Sequence, residues 1–450
     1  MTSREDFLIH PKPGEETGDI QAQIDAAFDA GGGRVTLLAG LHVTAGLRLK
    51  SGVELHLAKD AVLAPLSDYE AYRSTTVSVI AESSDRAMIV ATQAENIAIT
   101  GPGVIEAGGE NFIAGNDEVM GTWIPAALRP RVVVFESCRG VRLEDIRVSG
   151  SPMWTLHMID CEDIHFRQVD VVNDRRLPNT DGIVLDACRR ALIEDCSIFT
   201  ADDGVVLKTS AGPDGKAVGR CEAITVRRCE VSSMSCALKL GTESFGDFRN
   251  ILFEDCKVSE SNRALGLFSR DGGEMSNIRF SRIAVDCHET PDGFWGSGEA
   301  LTVTVVDRRP DQLAGKVENL TVEDLTGCME GAINLVSISR AGIHNVQLQR
   351  IGLAQQSGKL GTGTQYDIRP TNADIAPSPD AAGRANAWTR GEDGKIVGLE
   401  DYPGGMPAIY LDGVREFSTH EVEITRTAPL PKGWNIKALV DTASLPEGSR

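Results

Sequence analysis

Short segments of alternating apolar and polar residues recur along most of the chain in one phase. Each begins with an apolar residue, has a second one two positions later, and has an apolar residue or cysteine five positions after the first. Their starts lie 23 to 42 residues apart, so the phase is constant while the connecting loops vary. This alternation predicts short, half-buried strands rather than helices. The segments are VRLEDI, IHFRQV, ALIEDC, ITVRRC, ILFEDC, IRFSRI, LTVEDL and VQLQRI, starting at Val141, Ile164, Ala191, Ile224, Ile251, Ile278, Leu320 and Val346.

One coil of such a repeat cannot bury its inward face alone, so neighbouring coils must stack into a continuous core. We therefore predict an all-β fold, a right-handed parallel β-helix, in which residues 1–450 form one domain. Residues of about 18–40 have the pattern of a short amphipathic helix, a glycine turn and a strand, which suits a cap on the first coil. The stretches of about 286–315 and 356–406 break the strand rhythm and are predicted to be loop insertions.

The cysteines follow the same repeat. Seven of the ten fall into two phases, and residues of equal phase stack on one another in a solenoid, so we predict that these seven are small apolar side chains of the core. A metal site is the alternative, but it favours a paired C-x-x-C spacing that neither series has, and we expect no metal and no cofactor. The two series are Cys138, Cys161, Cys188 and Cys221, and Cys196, Cys229 and Cys256.

The charge and the apolar runs limit the partners. With a formal net charge of −20, a nucleic acid or an anionic membrane is an unfavourable partner, because both need clustered positive charge. No apolar run approaches the roughly 20 residues of a membrane span, and the start MTSREDFLIHPKPGEE lacks the apolar core of a signal peptide. We therefore expect a cytoplasmic protein, or a secreted or periplasmic one if the natural start lies further upstream.

The stacking register predicts which polar side chains meet outside the core. We align four segments by their inward apolar residues: DGIVLD (181–186), DGVVLK (203–208), CALKLG (236–241) and LGLFSR (265–270). Asp181 and Asp203 then lie at equivalent positions on adjacent coils, about 5 Å apart along the stack, with Asp202 beside them. The alignment also predicts two outward columns, Val184, Val206, Lys239 and Phe268 in one, and Asp186, Lys208, Gly241 and Arg270 in the other.

Three carboxylates this close repel one another, so a purely structural role is costly unless cations lie nearby. Glycoside hydrolysis requires such a cluster, with one carboxylic acid to protonate the leaving oxygen and ionised partners to activate water. A ladder of aspartate turns and a Ca²⁺ site are alternatives that the spacing alone leaves open.

Motifs in a fixed order resemble the polygalacturonase-like glycoside hydrolase family 28, over about residues 18–355. The N-terminal pattern is GDIQAQIDAA, GGGRVTLLAG and LKSGVELHL, and GSPMWTLHMIDCEDIHF precedes the carboxylates. PNTDG, with Asn179 and Asp181, is similar to the family's Asn-Thr-Asp motif, and DDG, with Asp202 and Asp203, to its Asp-Asp motif. The resemblance implies that Asp202 is the general acid, while Asp181 and Asp203 position and deprotonate water for inversion at the anomeric carbon.

The chain departs from the family at two further motifs. Where the family has Gly-His-Gly, the segment SCALKLG puts Cys236 at the histidine position. Where the family has Arg-Ile-Lys, the segment FSR puts Phe268 at the arginine and Arg270 at the lysine. Since those family residues hold the uronate and assist the acid, their replacement implies a relative that acts on a different glycoside.

The remaining polar residues of the alignment are candidates for binding an acidic or hydroxylated sugar. His165 and His288, by contrast, are expected to be ordinary polar residues. The candidates are Lys208, Lys239, Arg270, Glu243 and Asn179.

Three functions follow from these observations. The first is an inverting glycoside hydrolase, exo-acting if the two insertions close one end of the cleft. The second is a polysaccharide lyase or epimerase on the same fold, which needs a Lys or Arg base and often Ca²⁺. The third is a carbohydrate-binding solenoid without catalytic activity.

Overall fold

Parallel strands stack in successive coils and form the predicted right-handed parallel β-helix. The structure is a computed structural model that describes residues 6–12, 19–81, 83–118, 120–290, 295–360, 364–371, 392–393 and 395–444. Each coil contributes to three faces, which we call the first, second and third face in the order in which the chain visits them. No helix in these ranges has the length and hydropathy needed to cross a membrane.

The first and second faces are joined within one extended sheet. In the later coils a single 13-residue strand runs through both faces. The first face contains Asp6–Ile9, Gly33–Leu37, Val53–Leu57, Glu95–Thr100, Arg139–Glu144, Glu162–Arg167, Arg189–Glu194, Cys221–Arg227 and Phe248–Glu254. The second face contains Gly40–Thr44, Ala61–Pro65, Val104–Glu106, Arg147–Ser149, Asp170–Val172, Ser197–Thr200, Glu230–Ser233 and Lys257–Ser261. The strands that run through both are Met275–Cys287, Val317–Met329, Ile343–Gln355 and Val414–Arg426.

The third face is a separate sheet, and it carries the candidate site. Its strands are Leu47–Arg48, Ser84–Thr92, Arg131–Glu136, Leu156–Ile159, Ile183–Asp186, Val205–Thr209, Cys236–Ser244, Arg263–Ser269, Leu301–Val305, Ile333–Ser337, Ile409–Asp412 and Leu439–Asp441. Thr76–Ala81 pairs antiparallel with one of them, and two antiparallel hairpins lie outside the coils: Ile113–Asp117 with Thr122–Pro125, and Gln365–Asp367 with Leu399–Asp401. Short 3₁₀ helices cover Tyr69–Tyr72, Gly109–Phe112 and Thr442–Ser444.

Inward side chains of all three faces form one continuous apolar core. The prediction that the seven cysteines are buried in it is confirmed, and all seven are free thiols. In the stack, Cys221 is followed by Phe248 and then Met275 at the same position of the next coils. The cysteines therefore take places that larger apolar side chains fill further along the solenoid.

The helix Asp19–Asp29 covers the beginning of the β-helix, where Ile20 and Ile24 are fully buried. The predicted insertions are only partly loops. Leu301–Val305, inside the stretch 286–315, pairs with the neighbouring coils as a strand of the third face. The stretch 356–406 contributes the hairpin Gln365–Asp367 with Leu399–Asp401, while residues 361–363, 372–391 and 394 lie outside the described residues.

The predicted register holds for three of the four aligned strands. Ile183 pairs with Val205 and Val205 with Leu238, so Asp181 and Asp203 are equivalent, as predicted. The fourth strand is displaced by two residues from the prediction, because Lys239 lies opposite Gly266 and not opposite Phe268. A slip by two keeps every side chain on the same face, so the apolar pattern alone cannot detect it.

Candidate active site

A pocket opens on the outer side of the third face, where the turn from the second face enters each strand. Its wall combines the predicted carboxylates with cations and aromatic rings, and both insertions contribute to it. The lining residues are Trp154, Asn179, Asp181, Asp202, Asp203, Lys208, Lys239, Thr242, Glu243, Arg263, Phe268, Trp295, Arg308, Arg369 and Pro370.

The three aspartates lie at the entrances of two adjacent strands, and all are almost completely buried. Asp181 is 2% exposed, Asp202 7% and Asp203 2%. The coils are joined directly at this point, since the amide of Gly182 donates to the carbonyl of Asp203 at 2.9 Å. The fold therefore brings together two positions that are 22 residues apart in the sequence.

Asp203 is held by a lysine of the next coil. Lys239 Nζ donates to Asp203 Oδ2 at 2.6 Å, and the Ser235 hydroxyl donates to Oδ1 at 3.3 Å. Burial raises the pKa of Asp203, while the charge of Lys239 opposes that rise. Lys239 also lies 5.2 Å from the centroid of the Phe268 ring. Lys239 therefore lines the pocket, as predicted, but its ammonium group is already paired with a carboxylate of the cluster.

Asp181 has a different environment. Burial raises the pKa of Asp181 well above its usual range, and the neighbouring charges of Asp202 and Asp203 raise it further. The nearest amine belongs to Lys208, whose Nζ is 4.0 Å from Asp181 Oδ2 but donates to Glu243 Oε2 at 2.7 Å. The cluster therefore retains a proton at pH values where exposed aspartates have lost theirs.

Glu243 and Lys208 form a pair at the rim of the pocket. Burial opposes the charge of Glu243, but Lys208 and Arg308 hold its pKa well below the usual range. Burial also opposes the charge of Lys208, yet Glu243 and Asp181 raise its pKa above the usual range. The Lys208 ammonium lies 4.6 Å from the centroid of the Trp154 ring. Both predicted residues are thus at the site and fully charged.

Asp202 is oriented by the main chain and by the segment that contains Asn179. Its Oδ2 accepts from the amide of Asn179 at 3.3 Å, and its Oδ1 accepts from the amide of Asp203 at 3.1 Å. The side-chain oxygen of Asn179 is engaged within the protein, because Asn179 Oδ1 accepts a hydrogen bond from buried Arg129 at 2.8 Å. Arg129 also donates to the carbonyls of Pro152 and Pro178, which fixes the turn before Asp181.

The expectation that Arg270 contacts substrate is wrong. Arg270 is completely buried and is absent from the pocket wall. Its guanidinium donates to the carbonyls of Thr304, Ile368 and Pro370, so it fastens the second insertion to the third face. Burial lowers the pKa of Arg270 to about 9. The two-residue register slip explains the error, because it moves Arg270 beyond the pocket.

Several residues of the pocket wall were not predicted from the sequence. Most of them lie in the two insertions, where the signal was the break in strand rhythm, and Trp154 lies in the motif GSPMWTLHMIDCEDIHF. The residues missed are Trp154, Arg263, Trp295, Arg308, Arg369 and Pro370.

The remaining predicted positions lie elsewhere or have other partners. Cys236, at the family's histidine position, is buried, and burial and Asp203 raise the pKa of its thiol above the usual range. His165 bonds to Glu194 and His288 to Glu330, both outside the pocket wall. Within the described ranges, no group of three or more His, Cys, Asp or Glu is arranged to hold a metal ion.

Comparison with known proteins agrees with the motifs. Residues 71–359 match the Glycosyl hydrolases family 28. A probable polygalacturonase from Vitis vinifera is 26% identical over 256 residues, which cover 53% of this chain and 50% of that protein. A probable polygalacturonase from Arabidopsis thaliana is 29% identical over 121 residues, or 27% of this chain and 24% of that protein. The chain therefore spans at most about half the length of these two curated relatives.

Solved structures show the same fold. An exopolygalacturonase from Thermotoga maritima has a TM-score of 0.64 at 22% identity, over 79% of this chain and 88% of that chain. A family 28 exopolygalacturonase from Yersinia enterocolitica has a TM-score of 0.62 at 12% identity, over 97% of this chain and 78% of that chain. With the family match over most of the coils, we conclude that this chain belongs to glycosyl hydrolases family 28.

Proposed function

We propose that the protein is an inverting glycoside hydrolase. The observation that carries the proposal is the placement of three buried aspartates in one pocket with unequal surroundings. Asp203 is paired with a lysine, Asp202 is held by two amides, and Asp181 has a raised pKa. Acid and base catalysis on a glycosidic bond needs carboxyl groups with different surroundings, because one of them must carry a proton while another is ionised.

The reaction divides among the three carboxylates. Asp202 gives its proton to the glycosidic oxygen as the bond to the anomeric carbon breaks. A water molecule attacks that carbon from the opposite side and loses its proton to Asp203, while Asp181, whose raised pKa favours its protonated form, helps to position the water. Lys239 favours the ionised form of Asp203, which suits Asp203 to the role of base.

Exo-action is supported by the position of the insertions. Trp295 and Arg308 come from the first insertion, Arg369 and Pro370 come from the second, and all four line the same pocket as the aspartates. We infer that these residues close the cleft at one end, so that the terminal sugar of a pectin-like oligosaccharide enters and a continuous polymer does not. The polygalacturonases among the relatives favour this substrate class.

The direct test is hydrolysis of oligogalacturonides, followed by NMR during the first turnovers. We expect release of single terminal sugars with inverted anomeric configuration, and loss of the activity in Asp202→Asn. Retention of configuration would contradict the mechanism. An unsaturated product that absorbs in the ultraviolet would indicate a lyase, and binding without turnover would indicate a carbohydrate-binding solenoid.

A further inference from the structure

Three guanidinium groups from separate segments line one part of the pocket wall. Arg263 begins a strand of the third face, Arg308 lies in the first insertion and Arg369 lies in the second. Each is at most 5% exposed, although each borders the pocket. Burying three arginines in the wall of one pocket is costly unless carboxylates neutralise them or a ligand brings negative charge.

Asp367 fixes two of these arginines. Arg263 Nη2 donates to Asp367 Oδ2 at 2.6 Å, and Arg369 donates to Oδ1 through Nε at 2.9 Å and to Oδ2 through Nη2 at 2.8 Å. Burial opposes the charge of Asp367, but Arg369 and Arg263 hold its pKa well below the usual range. The Arg369 guanidinium also lies 5.1 Å from the centroid of the Trp295 ring. The groups are therefore rigid before any ligand arrives.

Arg308 is held differently and keeps one amino group without a partner. Its Nε and Nη2 donate to the two oxygens of buried Asp271 at 2.7 and 2.5 Å. Its Nη1 is buried and has no acceptor among the described residues. A buried donor without a partner is costly, and such groups in native proteins are usually satisfied by a ligand or by water. Because Arg308 borders the pocket, a bound sugar is placed to supply the acceptor.

Several carboxyl groups lie near these arginines. Asp367 and Asp271 pair with them, and Glu243 is close enough to Arg308 for the charge of that arginine to lower the pKa of Glu243. Glu299 lies 3.7 Å from Arg263, but burial raises its pKa, which weakens its contribution as a counter-charge. An arginine binds a carboxylate with strong, directional hydrogen bonds that a hydroxymethyl group cannot match.

The positions that match the family's Arg-Ile-Lys segment offer no cation to the pocket. Its outward positions beside Lys239 and Gly241 are occupied by Gly266 and Phe268. Arg270 is directed to main-chain carbonyls. Recognition of a carboxylate at this site must therefore come from another part of the wall.

We propose that Arg308, together with Arg369 and Arg263 of the same pocket wall, forms a carboxylate subsite that receives the terminal sugar of the substrate. The subsite takes a uronic acid and discriminates against its methyl ester and the corresponding neutral sugar. The inference rests on the proposed glycosidase function, and it assigns specificity to the two insertions together with Arg263 at the beginning of a third-face strand.

The chain offers a matched pair of variants for the test. Arg309 also binds Asp271, with Nε 3.0 Å from Oδ1, but it packs on Phe245 and is absent from the pocket wall. Arg308→Met and Arg309→Met each remove one of the two arginines from the same carboxylate, and only the first changes the pocket. Equal melting temperatures of the two variants would establish that they are matched in stability.

Hydrolysis of trigalacturonate and of its methyl ester is then compared in the wild type and both variants. We expect Arg308→Met to reduce the preference for the free acid by about 10- to 100-fold, chiefly through KM, and Arg308→Lys to recover part of it. Arg309→Met should keep the wild-type preference. The proposal is overturned if Arg308→Met keeps that preference, or if Arg309→Met loses as much.

A binding measurement separates this proposal from the glycosidase function. Calorimetry gives the affinities of the wild type and of Arg308→Met for galacturonate and for galactose. Binding that favours galacturonate and depends on Arg308 supports the subsite even if no substrate is cleaved. Equal binding of the two sugars contradicts it even if hydrolysis is observed.

Discussion

Replacing Lys239 with Met should raise the pKa of Asp203 and move the acid limb of the activity profile. Lys239 is 9% exposed, Asp203 is 2% exposed, and their charged atoms are 2.6 Å apart. Removing one partner of a buried pair costs about 3–5 kcal/mol, because the other charge is left without compensation. The Ser235 hydroxyl and Lys208 remain near Asp203, so we take the lower value of about 3 kcal/mol.

Protonation of Asp203 relieves this cost. Each pKa unit corresponds to about 1.4 kcal/mol, so about 3 kcal/mol raises the pKa of Asp203 by about 2 units in the variant. A carboxyl with a raised folded-state pKa stabilises the fold at pH values below its unfolded pKa and loses that contribution as pH rises through the folded pKa. Lys239→Met should therefore be less stable than wild type at neutral pH and recover towards it as the pH is lowered to about 4.

The assay is kcat/KM as a function of pH, which reports the ionisation of the free enzyme. If Asp203 acts as the base, the acid limb in Lys239→Met moves up by about 2 pH units. Lys239→Arg keeps the charge and should stay close to wild type, and Lys208→Met, whose amine bonds to Glu243, should move the limb less. An increased KM with an unmoved acid limb would refute the reasoning and make Lys239 a substrate ligand.

The fold and the cluster of carboxylates could be predicted because both follow from periodicity. An alternation of period two, repeated in constant phase, specifies which side chains point inward and which coils stack. The alternation and its phase were enough to predict that Asp181 lies beside Asp203 and that the cysteines are buried. They could not decide between registers that differ by two residues, since Leu265 and Leu267 are both inward and either can stack on Leu238.

The chemistry of individual side chains depended on partners that periodicity does not specify. Lys239 was correctly placed in the outward column of the pocket, but its pairing with Asp203 depends on how a long side chain is directed between two coils. Arg308 and Arg369 lie in insertions that have no repeat to align, so nothing in their spacing indicates that both reach the pocket. Recognition residues on such segments become visible only once the chain is folded.

Three further predictions test the site and the packing behind it. Asp202→Asn should lower turnover by about 10² to 10⁴-fold on substrates with poor leaving groups. Its turnover should recover on an aryl glycoside with an acidic phenol, because that leaving group needs little protonation. An equal loss on both substrates would exclude Asp202 as the acid. Arg270→Met should lower the melting temperature, since it removes donors from the buried carbonyls that fasten the second insertion; a raised KM at an unchanged melting temperature would return Arg270 to the substrate site. Gly266→Ala tests the packing around Gly266, where an added Cβ would lie 2.5 Å from Cε2 of Phe268 and 2.7 Å from Sγ of Cys236. Overpacking of this kind costs about 1–3 kcal/mol, measured by denaturant unfolding, and shortening Phe268 to Leu in the same chain should recover part of it. Gly352→Ala is the matched control, because its nearest neighbouring atom would be 3.9 Å away. If both alanine variants are equally stable, Phe268 does not cover Gly266.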